Sequence, residues 1–169
     1  MEIEQAMKIE QWEIARMKPY DKNPRRNDKA VEAVMNSIRE FGFRQPIVVD
    51  SVGIIVVGHT RYKAALKLGL ATVPVHVAAD LTARQARAYR IADNRTNETA
   101  EWDVDLLPIE LGGLRDDGAD LKLLGFTDKE LAEHLREFDD LGLDDPDIDA
   151  AETAETIHCP KCGHEFPVS

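Results

Sequence analysis

Apolar positions change their spacing several times along the chain, and each change marks an element. Between Met7 and Ile14 the residues Ile9, Trp12 and Ile14 fit a first strand, with Trp12 as a large anchor, closed by a turn at Met17-Lys18-Pro19-Tyr20. From Asp28 the spacing becomes helical: Val31, Val34, Met35 and Ile38 form one stripe, Asp28 is placed to cap it, and Gly42 stops it after Phe41. The runs Pro46–Asp50 and Ile54–Val57, separated by Ser51-Val52-Gly53, read as a β-hairpin. At Gly58 the pattern turns from strand to helix, with Ala64, Ala65, Leu66 and Leu68 continuing until Gly69.

Val73-Pro74-Val75-His76-Val77 predicts another strand, with His76 as a sheet residue, and so a small mixed sheet. A helix capped by Thr82 follows, built on Ala83, Ala86, Ala88, Ile91 and Ala92. Beyond Trp102 the helical signals are shorter: Val104 to Leu111, then Leu121 to Leu124, then a helix capped by Thr127 with Leu131 and Leu135 on one face. Gly112-Gly113 and Asp116-Asp117-Gly118 are read as interruptions, and no complete helix-turn-helix is predicted. The fold class is therefore α/β, with helices around the sheet and a helical cap after it.

Composition adds the organisation. With 169 residues, 43% of them hydrophobic, the chain suits one ordinary domain plus an appendage. No apolar run approaches the roughly 20 residues of a membrane helix, and Met1–Gln11 lacks the layout of a secretory signal, so a cytoplasmic protein with no membrane partner is expected. The net charge is −11, but nine acidic residues and no basic one fall between Glu137 and Glu155, so the rest is close to neutral. That stretch reads as an acidic, disordered linker. Basic residues cluster at Arg16, Lys18, Lys22, Arg25, Arg26 and Lys29, at Arg61, Lys63 and Lys67, and at Arg84, Arg87 and Arg90, a distribution compatible with one basic patch facing DNA.

The candidate chemistry centres on Gly58-His59-Thr60-Arg61-Tyr62-Lys63. A strand that ends in Gly and opens a helix leaves backbone N–H groups unpaired at the positive end of the helix dipole. Arg61 and Lys63 in the first turn are disfavoured there unless an anion, such as phosphate, sits in front of them. The alternative is a solvated basic turn in which His59 or Thr60 merely caps the helix. At the far end, Cys159 and Cys162 have the spacing of a metal knuckle, with His164 as third ligand and His158 or a second chain completing a zinc site.

The turn at Gly58 resembles the central Gly-x-x-Arg motif of the ParB/sulfiredoxin superfamily. Partition proteins usually carry Gly-Glu-Arg-Arg there, which grips the triphosphate of CTP; His59-Thr60 replaces Glu-Arg here, while Arg61 keeps the second Arg. Asn23-Pro24-Arg25 resembles the family's first loop, and the resemblance implies that Asn23, Arg25 and Arg26 face the phosphates or the base. Phe43-Arg44-Gln45-Pro46 is similar to the family's lead into its second strand. Asp93-Asn94 stands where the family has Glu-Asn, with Asn97 in the place of an Arg. Asp93, Asn94, Arg95 or Glu98 are thereby implied as the groups that hold Mg²⁺ and phosphate.

The string Leu123–Leu131 resembles the segment that closes ParB-like domains attached to DNA methyltransferases in phages and mobile elements. The implied layout is a nucleotide-binding domain over 1–100, a helical cap over 101–138, the linker over 139–156 and a zinc-knuckle tail over 157–169. Three functions follow from the resemblance. The first is a DNA-associated switch, for which a homodimer is expected, that binds CTP or ATP with Mg²⁺ and hydrolyses it slowly. The second is an enzyme proper, a metal-dependent nuclease or a small-molecule kinase of the serine-kinase type, whose turn His59 resembles. The third is a non-catalytic adaptor for a DNA methyltransferase.

Overall fold

β-Branched runs that bury both faces become the interior of the sheet. The computed structural model describes residues 7–142 together with 156–158 and 165–167. Strands β1 (Ile9–Glu13), β2 (Ile47–Val49), β3 (Ile55–Val57) and β4 (Thr72–Val77) form one sheet in the order β1-β4-β2-β3. β1 runs antiparallel to β4, from Ile9 opposite His76 to Glu13 opposite Thr72. β2 runs parallel to β4, Ile47 opposite Val75, and antiparallel to β3, so the sheet is mixed as predicted. The parallel step needs a crossover, and β3 with helix α2 (His59–Lys67) supplies it.

Trp12, Met17, Ile47, Val49, Ile55, Ala65, Val73 and Val75 make the core of this unit, with Tyr62 and Phe43 packed against it. Each fully buried aliphatic side chain contributes about 1.5–3 kcal/mol. The hairpin turn is fixed by Asp50, whose Oδ1 accepts from the backbone N–H of Val52 (3.1 Å) and Ile54 (2.9 Å). Helix α1 spans Val31–Phe41 and ends at Gly42, whose φ of +77° and N–H bond to Ile38 O terminate it. Asp28 does not cap this helix. It lies in a 3₁₀ turn, Asp28–Ala30, and its carboxylate is drawn instead to Lys63.

Helix α3 (Ala83–Asn97) starts with a reciprocal capping box: Gln85 N–H donates to Thr82 Oγ1 and Thr82 N–H to Gln85 Oε1. Only Ala86 and Arg90 of α3 are buried. Arg90, grouped in sequence with a solvent-facing basic cluster, therefore belongs to the interior. Its Nε donates to Ile55 O at 3.0 Å, it pairs with Asp50 at 3.6 Å, and its guanidinium lies 4.0 Å over the Tyr20 ring.

The described residues up to Trp102, together with Lys122–Thr127, form one compact unit; a second comprises Asp103–Leu121 and the described residues from Asp128 on. In the second unit, α4 (Leu106–Asp116) packs on α5 (Asp128–Leu141). Gly112-Gly113 does not interrupt the helical pattern: both glycines are buried inside α4. A Cβ on Gly112 would lie 2.3 Å from the Phe138 ring, so the missing side chain is the room that lets α5 approach. Asp139 to Leu141, assigned by sequence to the linker, are the last turn of α5, and Asp139 accepts from Arg115 Nη1 at 2.9 Å. The rest of the acidic stretch up to Glu155 lies outside the described residues. Two short strands that the sequence reading missed, β5 (Thr156–His158) and β6 (Glu165–Pro167), pair antiparallel with Ile157 opposite Phe166.

Candidate nucleotide-binding site

Gly58 creates the site because it alone takes the backbone through the corner between β3 and α2. Its φ is +100°, in the left-handed region, and a Cβ there would meet Arg61 Nη2 at 3.1 Å and Ile47 at 3.4 Å. The helix opens without a side-chain cap, so the N–H groups of His59, Thr60 and Arg61 have no acceptor within α2. Neither His59 nor Thr60 serves as the cap considered from sequence. In front of this turn lies a cleft of about 220 Å³. Asn23 and Arg25, the 58–61 turn, and Asp93 with Asn94 line it together. Three segments far apart in the chain thus converge.

His59 Nε2 accepts a hydrogen bond from the Tyr20 N–H at 3.2 Å, which requires that nitrogen to be unprotonated and ties the turn to the loop leading to Asn23. Burial, reinforced by the nearby charges of Arg90 and Lys63, lowers the imidazole to about 4 from its ordinary 6.5. It is neutral at physiological pH. Thr60 Oγ1 accepts from Asn27 Nδ2 at 2.8 Å, leaving its own proton available to a ligand. The Arg61 guanidinium folds back beneath the turn, donating to Gln45 Oε1 and to Pro46 O (3.2 Å), while its Nε is buried without a partner. Desolvation lowers the Arg61 pKa, and Asp93 opposes that shift.

Lys63 does not line the cleft. Its ammonium donates to Asn27 Oδ1 at 2.9 Å and Asp28 Oδ1 at 2.7 Å, and those contacts hold the Asp28 carboxyl below its usual range. Tyr62 packs against the core. Glu98 accepts from Arg25 and, at 3.3 Å, from Arg95, so it joins the end of α3 to the Asn-Pro-Arg loop. Neither Glu98, Arg95 nor Arg26 lines the cleft. Asn94 Nδ2 is committed to Arg90 O at 2.7 Å, which leaves its Oδ1 as the group free for a ligand. Among the described residues no three His, Cys, Asp or Glu side chains form a metal cluster. Cys159, Cys162 and His164 lie outside the described residues, and of His158 only the strand backbone is described.

Two residues that sequence reasoning left out of the site complete it. Asn27 is buried and touches both Thr60 and Lys63, and Gln45 holds Arg61. A polar Asn directly after two arginines gives no burial signal; Gln45 is exposed and stands in the family-like Gln-Pro segment.

Two family models match parts of the chain. Residues 2–95 match the ParB N-terminal domain, and residues 105–160 match the ParB-methyltransferase HTH domain. The second match corrects the expectation of no complete helix-turn-helix: the supposed break at Gly112-Gly113 is continuous helix. Among curated relatives, the chromosome-partitioning protein Spo0J of Thermus thermophilus is 35% identical over 102 residues, covering 57% of this chain and 35% of that protein. The ParB-like nuclease domain-containing protein YnaK of Escherichia coli is 33% identical over 84 residues, 49% of this chain and 97% of YnaK. Stage 0 sporulation protein J of Bacillus subtilis is 31% identical over 132 residues, 75% of this chain and 44% of that protein. The chain thus spans less than half the length of the Thermus and Bacillus relatives.

Among solved structures, the C-terminally truncated ParB of Caulobacter crescentus complexed with CTP-gamma-S is 25% identical at a TM-score of 0.64, covering 85% of this chain and 83% of that one. Among the described residues, no helix is long and apolar enough to cross a membrane. With more than half of its length, the sheet and the convergent cleft all inside the first match, the chain belongs to the ParB N-terminal domain family.

Proposed function

We propose that the cleft at Gly58 seats the triphosphate of a nucleotide, CTP or ATP with Mg²⁺, and that the chain is a DNA-associated switch in DNA partition, modification or phage DNA handling. The observation that carries this reading is the convergence of Asn23 and Arg25, the uncapped 58–61 turn, and Asp93 with Asn94 on one cleft. About 220 Å³ is below the ~300 Å³ at which small-molecule pockets usually begin, so the cleft suits the phosphate chain and leaves sugar and base toward the rim. The similar Caulobacter protein, complexed with CTP-gamma-S, supports a nucleotide there.

The roles follow from the donor set. Backbone N–H groups of His59, Thr60 and Arg61, with the Thr60 hydroxyl, donate to phosphate oxygens. Arg25, which also pairs with Glu98, lines the same cleft and supplies positive charge. Asp93 and the Oδ1 of Asn94 are the hard oxygen donors for Mg²⁺, which would otherwise be held by phosphate and water and would neutralise the triphosphate. Slow hydrolysis would need only a positioned water beside this neutralised chain. Isothermal calorimetry with each of the four NTPs and Mg²⁺ tests the reading: one or two should give heat that Asn94→Ala abolishes, and no heat from any would end it.

The YnaK description favours a second reading, a nuclease. It predicts metal-dependent nicking of plasmid that disappears in Asp93→Ala. A kinase would consume phosphate donor only with a small hydroxylated acceptor present, and a methyltransferase adaptor would do neither but co-purify with its enzyme. The helix-turn-helix match supports DNA as a partner through the second unit, and two-fold DNA sites would call for a homodimer. For the tail, we propose Zn²⁺ on Cys159, Cys162, His164 and His158. The antiparallel strands β5 and β6 flank that sequence, as a knuckle requires. Metal analysis finding less than about half an equivalent of zinc would exclude a site within each chain.

A further inference from the structure

A second concave surface lies on the other side of the Asn-Pro-Arg loop. Two adjoining hollows of about 440 and 400 Å³ share Tyr20, Lys22 and Arg87; Arg84 and Ile91 extend the larger one along α3. No carboxylate lines the larger hollow and only Asp21 lines the smaller, although the chain carries 32 acidic against 21 basic residues. Lys22, Arg84 and Arg87 are all exposed, and among the described residues none has an ion-pair or hydrogen-bond partner, whereas Arg25, Lys63, Arg90 and Arg115 are all engaged. Three cations without a carboxylate partner along one groove, in a protein of net −11, are a local positive charge that suits an external polyanion.

The groove also indicates what kind of polyanion. Tyr20 is the one aromatic residue lining the two hollows, and one face of its ring is taken by the Arg90 guanidinium, so the groove holds no row of open rings on which successive unpaired bases would stack. Guanidinium and ammonium groups without a base-stacking platform suit a sugar-phosphate backbone. We propose that the groove between the 19–24 loop and the first half of α3 receives the backbone of double-stranded DNA, a contact separate from the helix-turn-helix. It deepens the DNA-associated reading but does not depend on nucleotide occupying the Gly58 cleft.

The test uses the full chain and a short labelled duplex of random sequence, titrated by fluorescence anisotropy from low to physiological salt. The triple variant Lys22→Gln, Arg84→Gln, Arg87→Gln should reduce the slope of log K against log salt by about 0.9 for each lost phosphate contact, hence by about 2 to 3, and weaken binding by more than tenfold. Its thermal melt and nucleotide heat should match the parent. An unchanged slope overturns the proposal, and so does loss of nucleotide heat, which would assign the groove to the Gly58 site. A glutamate-rich peptide that competes as well as DNA of equal charge would also overturn it, in favour of an acidic protein partner.

Discussion

The side-chain amide of Asn27 donates to Oγ1 of Thr60 at 2.8 Å, and this single contact decides which way the Thr60 hydroxyl proton points. An oxygen that accepts from Asn27 has its own hydrogen left for the cleft. Asn27→Ala removes this bond and the one to Lys63, and should cost about 1–3 kcal/mol in thermal or urea unfolding. Asn27→Asp is more telling. A carboxylate still accepts from Lys63 but can only accept from Thr60, so the hydroxyl turns away from the cleft. Stability should hold while nucleotide affinity falls about tenfold, equivalent to ~1.4 kcal/mol, by calorimetry.

His59 makes stability depend on pH in a defined window. In the unfolded chain the imidazole takes up a proton near its ordinary 6.5, whereas in the folded protein it stays neutral down to about 4. Between these values the unfolded state binds more protons, so stability rises with pH. Its contribution is complete above about 6.5 and is lost as the pH falls toward 4. Urea midpoints measured across this range should climb with pH in the parent, and His59→Gln should flatten that part of the curve.

Gly58→Ala places a Cβ in the left-handed region and against Arg61. The conformation alone costs roughly 1–2 kcal/mol, and the displaced guanidinium adds to it. A fall in Tm of about 4–8 °C per kcal/mol is expected for a unit of this size, accompanied by loss of nucleotide binding. Calorimetric scanning with and without nucleotide separates the two effects.

Gly112→Ala should destabilise the second unit, because its methyl group overlaps the Phe138 ring; overpacking of this kind costs about 1–3 kcal/mol. Phe138→Leu alone should also destabilise, by opening space. The double variant should recover part of the loss, and a double-mutant cycle from urea melts would show a coupling of about 0.5 kcal/mol or more.

Where the pattern of residues reflects local physics, it was readable. The alternating and β-branched runs gave β2, β3 and β4, Thr82 gave the start of α3, and the Gly58 corner gave the strand-to-helix turn. Where distant residues overrule local preference, the pattern misled. Asp28 has every local reason to cap a helix, yet Lys63 of α2 takes its carboxylate. Gly112-Gly113 is locally a break, yet Phe138 makes it a close approach between helices. Arg90 lies among exposed arginines in sequence, but Asp50, Ile55 and Tyr20 draw it inside. The walls of the cleft were found through motif resemblance, while the Asn27 contacts that arrange the Thr60 hydroxyl left no mark in the sequence.

The crossover between β2 and β4 has a consequence for how the protein is made. Asn23, the Gly58 corner and Asn94 meet only after β4 has slotted between β1 and β2, which requires residues Thr72–Val77 to find partners on both sides. A nascent chain leaving the ribosome with everything up to Leu70 already has the 58–61 turn in sequence but no frame to hold it. Ligand affinity should therefore emerge abruptly with chain length rather than grow step by step, and truncations short of α3 should be blind to nucleotide.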